Sequence, residues 1–532
     1  MTRSAHPRPV RIAAGLGVAL MLVAALPTSS LGISRHPHPT FAYLTTNAPG
    51  AVVVPLINSG QTFDGETFEG IPDGIGVVPV GTGQRYVDLY VNFEQSHVPF
   101  TGFADFEDSS VQRARLDLKT MQLTKLDEVL PASAGFIRFC SSFMAGPAEG
   151  FSSYTMLLNE ESNDVIDVPA GATYGADPST TPYRQAGYSV ALDTASGSFH
   201  PIPINGRHNH ENTVVVPGGW DDTVALSGDD TFTAPGSQVY MTTAASPSAF
   251  LGDDGDLWAF RVTAKNGTPV IAADANNGAN DYLDITVADT LTGEFIHVPD
   301  AIARGTTADQ PQTALENWSN ANNVFQFVRV EDMDYDPDNP RVVYFTDTGS
   351  TRIKEGASGR LIRAAATDFP FFDTNGRVFK MVLNANDPTV VDSLTIHAEG
   401  RLVQQDAGPI ITVIQAGVGF LNPDNLDAGH ASLMVQEDTS NAKVWRNDFA
   451  ATWTHVGTVT HPTAPSAGES SGIVDLSNWL GAGWWALDVQ SHVNQSLDPT
   501  MRTYTTPITG AVLNYQLRRE DGQLLLLFVP GS

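Results

Sequence analysis

The sequence has little cysteine: Cys140 is alone among 532 residues. A single thiol excludes an internal disulfide, although disulfides are common in exported proteins. Cys140 is therefore a buried core residue, an intermolecular bridge or a metal ligand. Considered by itself, a lone cysteine is best interpreted as a small buried side chain.

Positive charge is also scarce. The chain has 29 lysines and arginines against 59 aspartates and glutamates, and its formal net charge is −30. Nucleic-acid binding requires a basic stripe, and the sequence has none, so we expect no nucleic-acid partner. The acidic excess agrees with a soluble surface, and also with carboxylates that bind divalent cations.

Only one long apolar run is present, at the N-terminus. Three arginines precede the uncharged segment 12–26, and the small residues 30–32 follow it. This order is typical of a secretory signal peptide. The run has about 15 residues, which is short of the roughly 20 that span a bilayer, so we expect no membrane span. We predict a signal peptide over residues 1–32 and a secreted protein, either extracellular or periplasmic.

Helical periodicity is nearly absent from residues 33–532, where only 312–323 predicts a short helix. Short β-branched or aromatic runs between Gly, Pro, Asn and Asp turns predict strands instead. They lie at 51–57, 86–93, 154–158, 213–216, 239–243, 342–346, 378–383 and 410–414. Many short strands over about 500 residues favour a propeller over a small sandwich. We predict a single all-β domain, a β-propeller, over residues 33–532.

Acidic residues recur at or near the ends of predicted strands. They are Glu94, Glu160, Glu161, Glu211, Glu331 and Asp424. Carboxylates that converge from several strands supply the oxygen ligands that calcium prefers. Any one of these acids, taken singly, is more often a solvated turn residue. Gly-x-Ser-x-Gly, phosphate-binding-loop and His-Glu-x-x-His motifs are absent, so no nucleophilic triad is supported.

Arg329 lies two residues before Glu331. On an extended segment the two side chains would project to the same side, because strand side chains alternate. Beside metal ions, such a guanidinium would hold a phosphate through two parallel hydrogen bonds. A structural ion pair with a neighbouring acid is an equally good local interpretation.

Several phrases, at 92–94, 139–142, 153–161, 206–211, 329–331, 423–426 and 436–438, together resemble the PhoX-type secreted alkaline phosphatases. Segments 139–142 and 153–161 resemble that family's cysteine-to-Glu-Glu segment, and 206–211 is similar to its Gly-Arg…His-Glu segment. The other similar phrases are Asn92-Phe93-Glu94, Arg329-Val330-Glu331, Pro423-Asp424-Asn425-Leu426 and Gln436-Glu437-Asp438. The matches follow the family's order over roughly residues 90 to 440.

This resemblance implies a six-bladed propeller with insertions, which hydrolyses phosphate monoesters at an axial site holding iron and calcium. Arg329 would hold the substrate phosphate. The implied metal ligands are Cys140, Glu160 or Glu161, Glu211, Glu331 and Asp424, with Glu94 and Asp438 on the calcium side or in support. A soft thiolate suits iron, and hard carboxylates suit calcium or bridge both metals. We expect a monomer whose partner is a phosphate ester.

The chain departs from the family pattern at several points. Phe93 replaces a histidine, Val330 replaces a proline, and 146–151 is longer than the family's segment between the cysteine and the glutamates. The N-terminal segment also lacks the adjacent arginine pair that this family commonly uses for export. None of these changes removes a ligand type.

Two other functions remain open at this point. One is a non-catalytic exported propeller that binds calcium, and the other is a calcium-dependent hydrolase of lactone or phosphotriester type. Cys140 and Arg329 together favour the phosphatase, because neither alternative needs a thiolate and a phosphate clamp in the same site.

Overall fold

Antiparallel strands account for most of the computed structural model. The structure describes residues 34–82, 85–99, 108–167, 183–231, 236–271, 274, 276–306, 310–450, 452–464 and 468–532. The predicted signal peptide, residues 1–32, lies outside the described residues. Within the described part of the chain, no helix is long and apolar enough to cross a membrane.

Six four-stranded blades make up the described core, each given from its inner to its outer strand. Blade 1 comprises Pro72–Val80, Tyr86–Phe93, Val111–Asp117 and Gln122–Leu130, and blade 2 comprises Phe139–Ala145, Thr155–Glu160, Ser189–Asp193 and Phe199–Pro201. Blade 3 comprises His210–Val215, Thr223–Asp229, Val239–Ala244 and Asp256–Lys265, and blade 4 comprises Val330–Tyr335, Val342–Asp347, Arg377–Leu383 and Val390–Glu399. Blade 5 comprises Pro423–Ala428, Leu433–Glu437, Lys443–Asn447 and Trp453–Val459, and blade 6 comprises Glu469–Asp475, Trp484–Thr505, Val512–Phe528 and Val52–Asn58.

The remaining elements extend the blades or connect them. Leu44–Thr46 adds to blade 5, Thr268–Pro269 pairs with blade 3, and Leu291–His297 joins the outer strands of blades 3 and 4. Smaller sheets pair Thr62–Phe63 with Glu66–Thr67, pair Val165–Asp167 with Tyr183–Gln185, and join Leu361–Arg363, Ile353–Glu355, Phe371–Thr374, Leu402–Gln405 and Ile411–Gln415. The α-helices are Pro247–Leu251, Asp300–Ala303, Pro311–Ala321 and Ser477–Leu480, and the 3₁₀-helices are Ala132–Ala134, Pro147–Glu149, Pro203–Asn205 and Tyr282–Asp284.

The inner strands form a closed ring. Each contacts the inner strand of the next blade, and Glu469–Asp475 of blade 6 contacts Pro72–Val80 of blade 1. Blade 6 uses both ends of the described chain, because Val52–Asn58 pairs with Val512–Phe528. The all-β class and the six-bladed propeller are therefore confirmed, as is the short helix, which spans Pro311–Ala321.

A β-bulge recurs at the start of the inner strand in blades 1 to 5. The first residue of the inner strand pairs with the last residue of the second strand, and the next two residues then oppose a single partner. A bulge bends its strand and re-aims a side chain. The first bulge residues are Asp73, Cys140, Glu211, Glu331 and Asp424.

Leu526 tests the contribution of the closing blade to stability. It is fully buried and pairs with Val54 on one side and Ala486 on the other. Leu526→Ala should lower the free energy of unfolding by about 2–5 kcal/mol, because it leaves a cavity in a packed core. The measurement is urea denaturation, with Leu497→Ala as the control because Leu497 is 48% exposed. Equal stability of the two variants would contradict this packing.

Candidate metal and phosphate site

The bulge residues surround one end of the central channel. They line a cavity of about 320 Å³ together with residues that follow the second strands. The lining residues are Ile71, Asp73, Glu94, Cys140, Glu161, Glu211, Arg329, Glu331, Asp424, Asp438, Glu469, Gln490, His492 and Glu520. A repeated backbone feature therefore brings side chains from blades 1 to 5 into one polar cavity, to which blade 6 also contributes.

Three groups of metal-ligating atoms lie in this cavity, and within each group the atoms are no more than 4.8 Å apart. The groups are Asp73, Glu94 and Cys140; then Cys140, Glu161 and Glu211; then Glu211, Glu331 and Asp424. Cys140 and Glu211 each belong to two groups, so the ligand atoms form one continuous arc. An arc of this kind fits several ions that share ligands.

Burial makes these carboxylates hard to ionise without a cation. It raises the pKa of Glu94 to about 7 and that of Glu211 to about 8. Burial, together with neighbouring carboxylates, also raises the pKa of Asp73, Glu161 and Asp424. Like charges at short range disfavour ionisation, and a bound cation reverses that effect.

The donor set fits metal ions. Glu211 Oε2 and Asp424 Oδ1 are buried and have no hydrogen-bond partner among the described residues. Burial and the charge of Asp73 raise the pKa of the Cys140 thiol, whose sulfur lies 3.6 Å from Asp73 Oδ2. A metal ion would supply the missing partner for the carboxylates and would favour the thiolate.

Neutral donors orient two of the carboxylates. The Ser141 hydroxyl donates a hydrogen bond to Glu211 Oε1 at 2.7 Å. The Thr348 hydroxyl donates to Glu331 Oε1. Contacts of this kind fix the direction of a metal-ligating carboxylate before the metal arrives.

Arg329 lies beside Glu331 as predicted, but strand alternation is not the cause. It precedes the strand and has a left-handed φ of 61°, so strand alternation does not set its direction. Its Nε and Nη2 each donate to a carboxylate oxygen of Asp230 at 2.9 Å, and Nη2 lies 3.3 Å from Glu331 Oε1. Nη1 lies 4.0 Å from Asp438 Oδ2. Arg329 thus lines the cavity and is also held by a structural ion pair.

Glu160 and Glu161 have different surroundings. Glu161 lines the cavity, whereas Glu160 does not. Both oxygens of Glu160 bind Arg184, at 2.7 and 2.5 Å, and they also accept N–H bonds from Ile137 and Tyr188. Glu160 is therefore removed from the candidate ligands, because its carboxylate is already saturated in a buried ion pair.

His492 supplies positive charge at the rim of the cavity. Nδ1 lies 2.9 Å from Glu520 and Nε2 lies 3.4 Å from Glu469. Burial opposes protonation, but the two glutamates outweigh it and raise the pKa of His492 to about 11. Asp438 is an acid, so burial alone would raise its pKa. A hydrogen bond with Glu469 and the positive charges of Arg329 and His492 outweigh burial and lower the pKa of Asp438.

Sequence reasoning missed several residues of the site. They are Asp73, Asp230, Glu469, Gln490, His492 and Glu520. One signal was available for Asp73, which precedes Glu94 by 21 residues, just as Cys140 precedes Glu161 by 21. That interval is one inner strand plus its hairpin partner. The others become visible only when the blades close into a ring.

The chain was compared with known families and structures. The family model "Alkaline phosphatase PhoX" matches residues 147–470, a range that includes Glu161, Glu211, Arg329, Glu331 and Asp424. A search of curated proteins finds no match.

One solved structure supports the fold, and a second was also matched at a lower score. Pseudomonas fluorescens PhoX in complex with vanadate, a transition state analogue, is 14% identical with a TM-score of 0.61, covering 93% of this chain and 98% of that one. A catalytically inactive virginiamycin B lyase from Staphylococcus aureus with quinupristin is 10% identical with a TM-score of 0.31, covering 90% and 99%. The family model spans more than half of the sequence, so the chain belongs to the PhoX family of alkaline phosphatases.

Proposed function

We propose that the protein is a metal-dependent phosphohydrolase that releases phosphate from phosphate monoesters. One observation carries the proposal: Cys140, the carboxylate arc and Arg329 all line a single cavity. The membership of the chain in the PhoX family supports the same reaction class. The vanadate bound to the Pseudomonas fluorescens protein is a transition state analogue, which is consistent with a phosphate-sized anion in this fold.

We propose iron and calcium as the metals. Cys140 would hold iron, because a soft thiolate prefers a transition metal, and the all-oxygen group Glu211, Glu331 and Asp424 would suit calcium or be shared. Glu94, Glu161 and Asp438 would complete or support the ligand set. When bound, such ions act as Lewis acids toward phosphoryl oxygens and lower the pKa of a water molecule.

Arg329 would bind and orient the phosphoryl group. Asp230 fixes the guanidinium through two hydrogen bonds, so little conformational freedom is lost when substrate arrives. A fixed positive charge at this position stabilises the negative charge that develops on the phosphoryl oxygens in the transition state.

We further propose that residues 33–532 form one phosphatase domain and that residues 1–32 direct export. The apolar N-terminal run and the family support export. The alternative functions, calcium binding without catalysis and calcium-dependent lactone or phosphotriester hydrolysis, need neither Cys140 nor Arg329 in the cavity.

The first test is an assay of metal content and activity. Purified protein should contain iron and calcium, should hydrolyse an aryl phosphate monoester, and should lose that activity on chelation. Elemental analysis and phosphate release measure the two properties. Protein that holds no iron and releases no phosphate would refute the proposal, and calcium-dependent hydrolysis of a lactone or phosphotriester would support the alternative hydrolase.

Cys140→Ala tests the thiolate. Loss of the soft ligand should lower the iron content and reduce turnover by more than about tenfold, since even outer partners of metal ligands cost 10- to 100-fold. Ser142→Ala is the matched control, because Ser142 lies two residues along the same strand but does not line the central cavity. If iron and turnover are unchanged in Cys140→Ala, its role as a ligand is wrong.

Arg329→Gln tests the phosphate clamp. Removal of one charge-stabilising donor should lower kcat/KM by about 10²- to 10³-fold while iron content persists. The control is Arg261→Gln. Arg261 lies on the outer strand of blade 3, away from the cavity, and forms an ion pair with Glu294 on the neighbouring strand. Steady-state kinetics and elemental analysis provide the measurements. If the variant keeps both its kcat/KM and its inhibition by inorganic phosphate, Arg329 does not bind the phosphoryl group.

A further inference from the structure

Asp488 is a buried carboxylate without hydrogen-bond partners. It lies in the second strand of blade 6 and is fully buried. Neither Oδ1 nor Oδ2 has a partner among the described residues. An ionised carboxylate in such surroundings is costly unless a cation or a set of donors compensates it. A cation, hydrogen-bond donors or protonation must therefore compensate this carboxylate.

Other oxygen atoms border the same space. Ser471 is the strand partner of Asp488, and its hydroxyl is also buried without a partner. A Cβ placed on the next residue, Gly472, would lie 2.1 Å from the Asp73 carbonyl oxygen and 3.2 Å from Asp488 Oδ1. A side chain at Gly472, which has a φ of 31°, would collide with this carbonyl, so glycine allows the Asp73 main chain to pack against it. Oxygen atoms of blades 6 and 1 therefore converge beside Gly472.

The charge around these oxygen atoms is negative. Asp73 and Glu469 both lie close enough to interact electrostatically with Asp488. Burial and repulsion from Glu469 raise the pKa of Asp488. Hard oxygen atoms and excess negative charge favour calcium over a monovalent ion.

We propose that a calcium ion binds between blades 6 and 1, held by both carboxylate oxygens of Asp488, the Ser471 hydroxyl and the Asp73 main-chain carbonyl. Calcium takes six to eight oxygen ligands, so water completes the set. None of the three ligand groups in the central cavity includes Asp488. The proposed ion would therefore be distinct from the ions that those groups would hold. The ion would join the closing blade to the first blade.

Calcium counting tests the proposal without reliance on activity. Wild-type protein, Asp488→Asn and the control Asp498→Asn are stripped with chelator, dialysed against calcium chloride and analysed for bound calcium and iron. Asp498 lies on the same strand but is solvent-accessible. Asp488→Asn should bind one calcium fewer per chain than both other proteins, with unchanged iron. Equal calcium counts in all three proteins would overturn the proposal.

Wild-type crystals provide a second measurement that does not depend on how a variant folds. Crystals grown with calcium chloride should show an anomalous-scattering peak between Asp488 and the Asp73 carbonyl. Electron density no stronger than that of a water molecule, without an anomalous signal, would mean that Asp488 is neutral and hydrated. That result would refute the proposed calcium ion. Ser471→Ala should weaken calcium binding at this site, because it removes one ligand.

Discussion

The repulsion between buried carboxylates is the constraint on which this structure depends. Acids from every blade meet at one end of the channel, where burial raises the pKa of Asp73, Glu94, Glu161, Glu211, Glu331, Asp424 and Glu469. Among the described residues, neutral donors such as the Ser141 and Thr348 hydroxyls are too few to offset so many negative charges. The packed propeller holds the carboxylates together, and bound cations would turn their mutual repulsion into affinity for metal.

The bulge at the start of the inner strand in blades 1 to 5 makes this crowding possible. In a regular ladder, the side chain of the second residue would simply alternate in direction with its neighbours along the strand. The bulge re-aims that side chain, and all five of these residues line the same cavity. Blade 6 has its irregularity later in the strand, at Gly472, where the main chain of Asp73 packs closely.

Local pattern predicted several strands and the short helix, because these depend on neighbouring residues. It was not sufficient where position depends on register. Glu160 and Glu161 are adjacent, yet one binds Arg184 and the other lines the cavity, and only the pairing of Phe139 with Glu160 separates them. Arg329 lies beside Glu331 because Arg329 itself has a left-handed backbone conformation. Asp488 lies near the Asp73 carbonyl, although the two residues are distant in sequence.

Blade 6 combines Val52–Asn58 with Val512–Phe528, so the ring closes only after nearly the whole described chain has been made. Asp73 belongs to the inner strand of blade 1 and Glu469 to that of blade 6, the two blades that meet when the ring closes. Contacts of such high sequence separation form late in folding. The polar cavity is therefore complete only when the last strand has docked, and an ion that needs ligands from the whole arc would bind only to the fully closed ring.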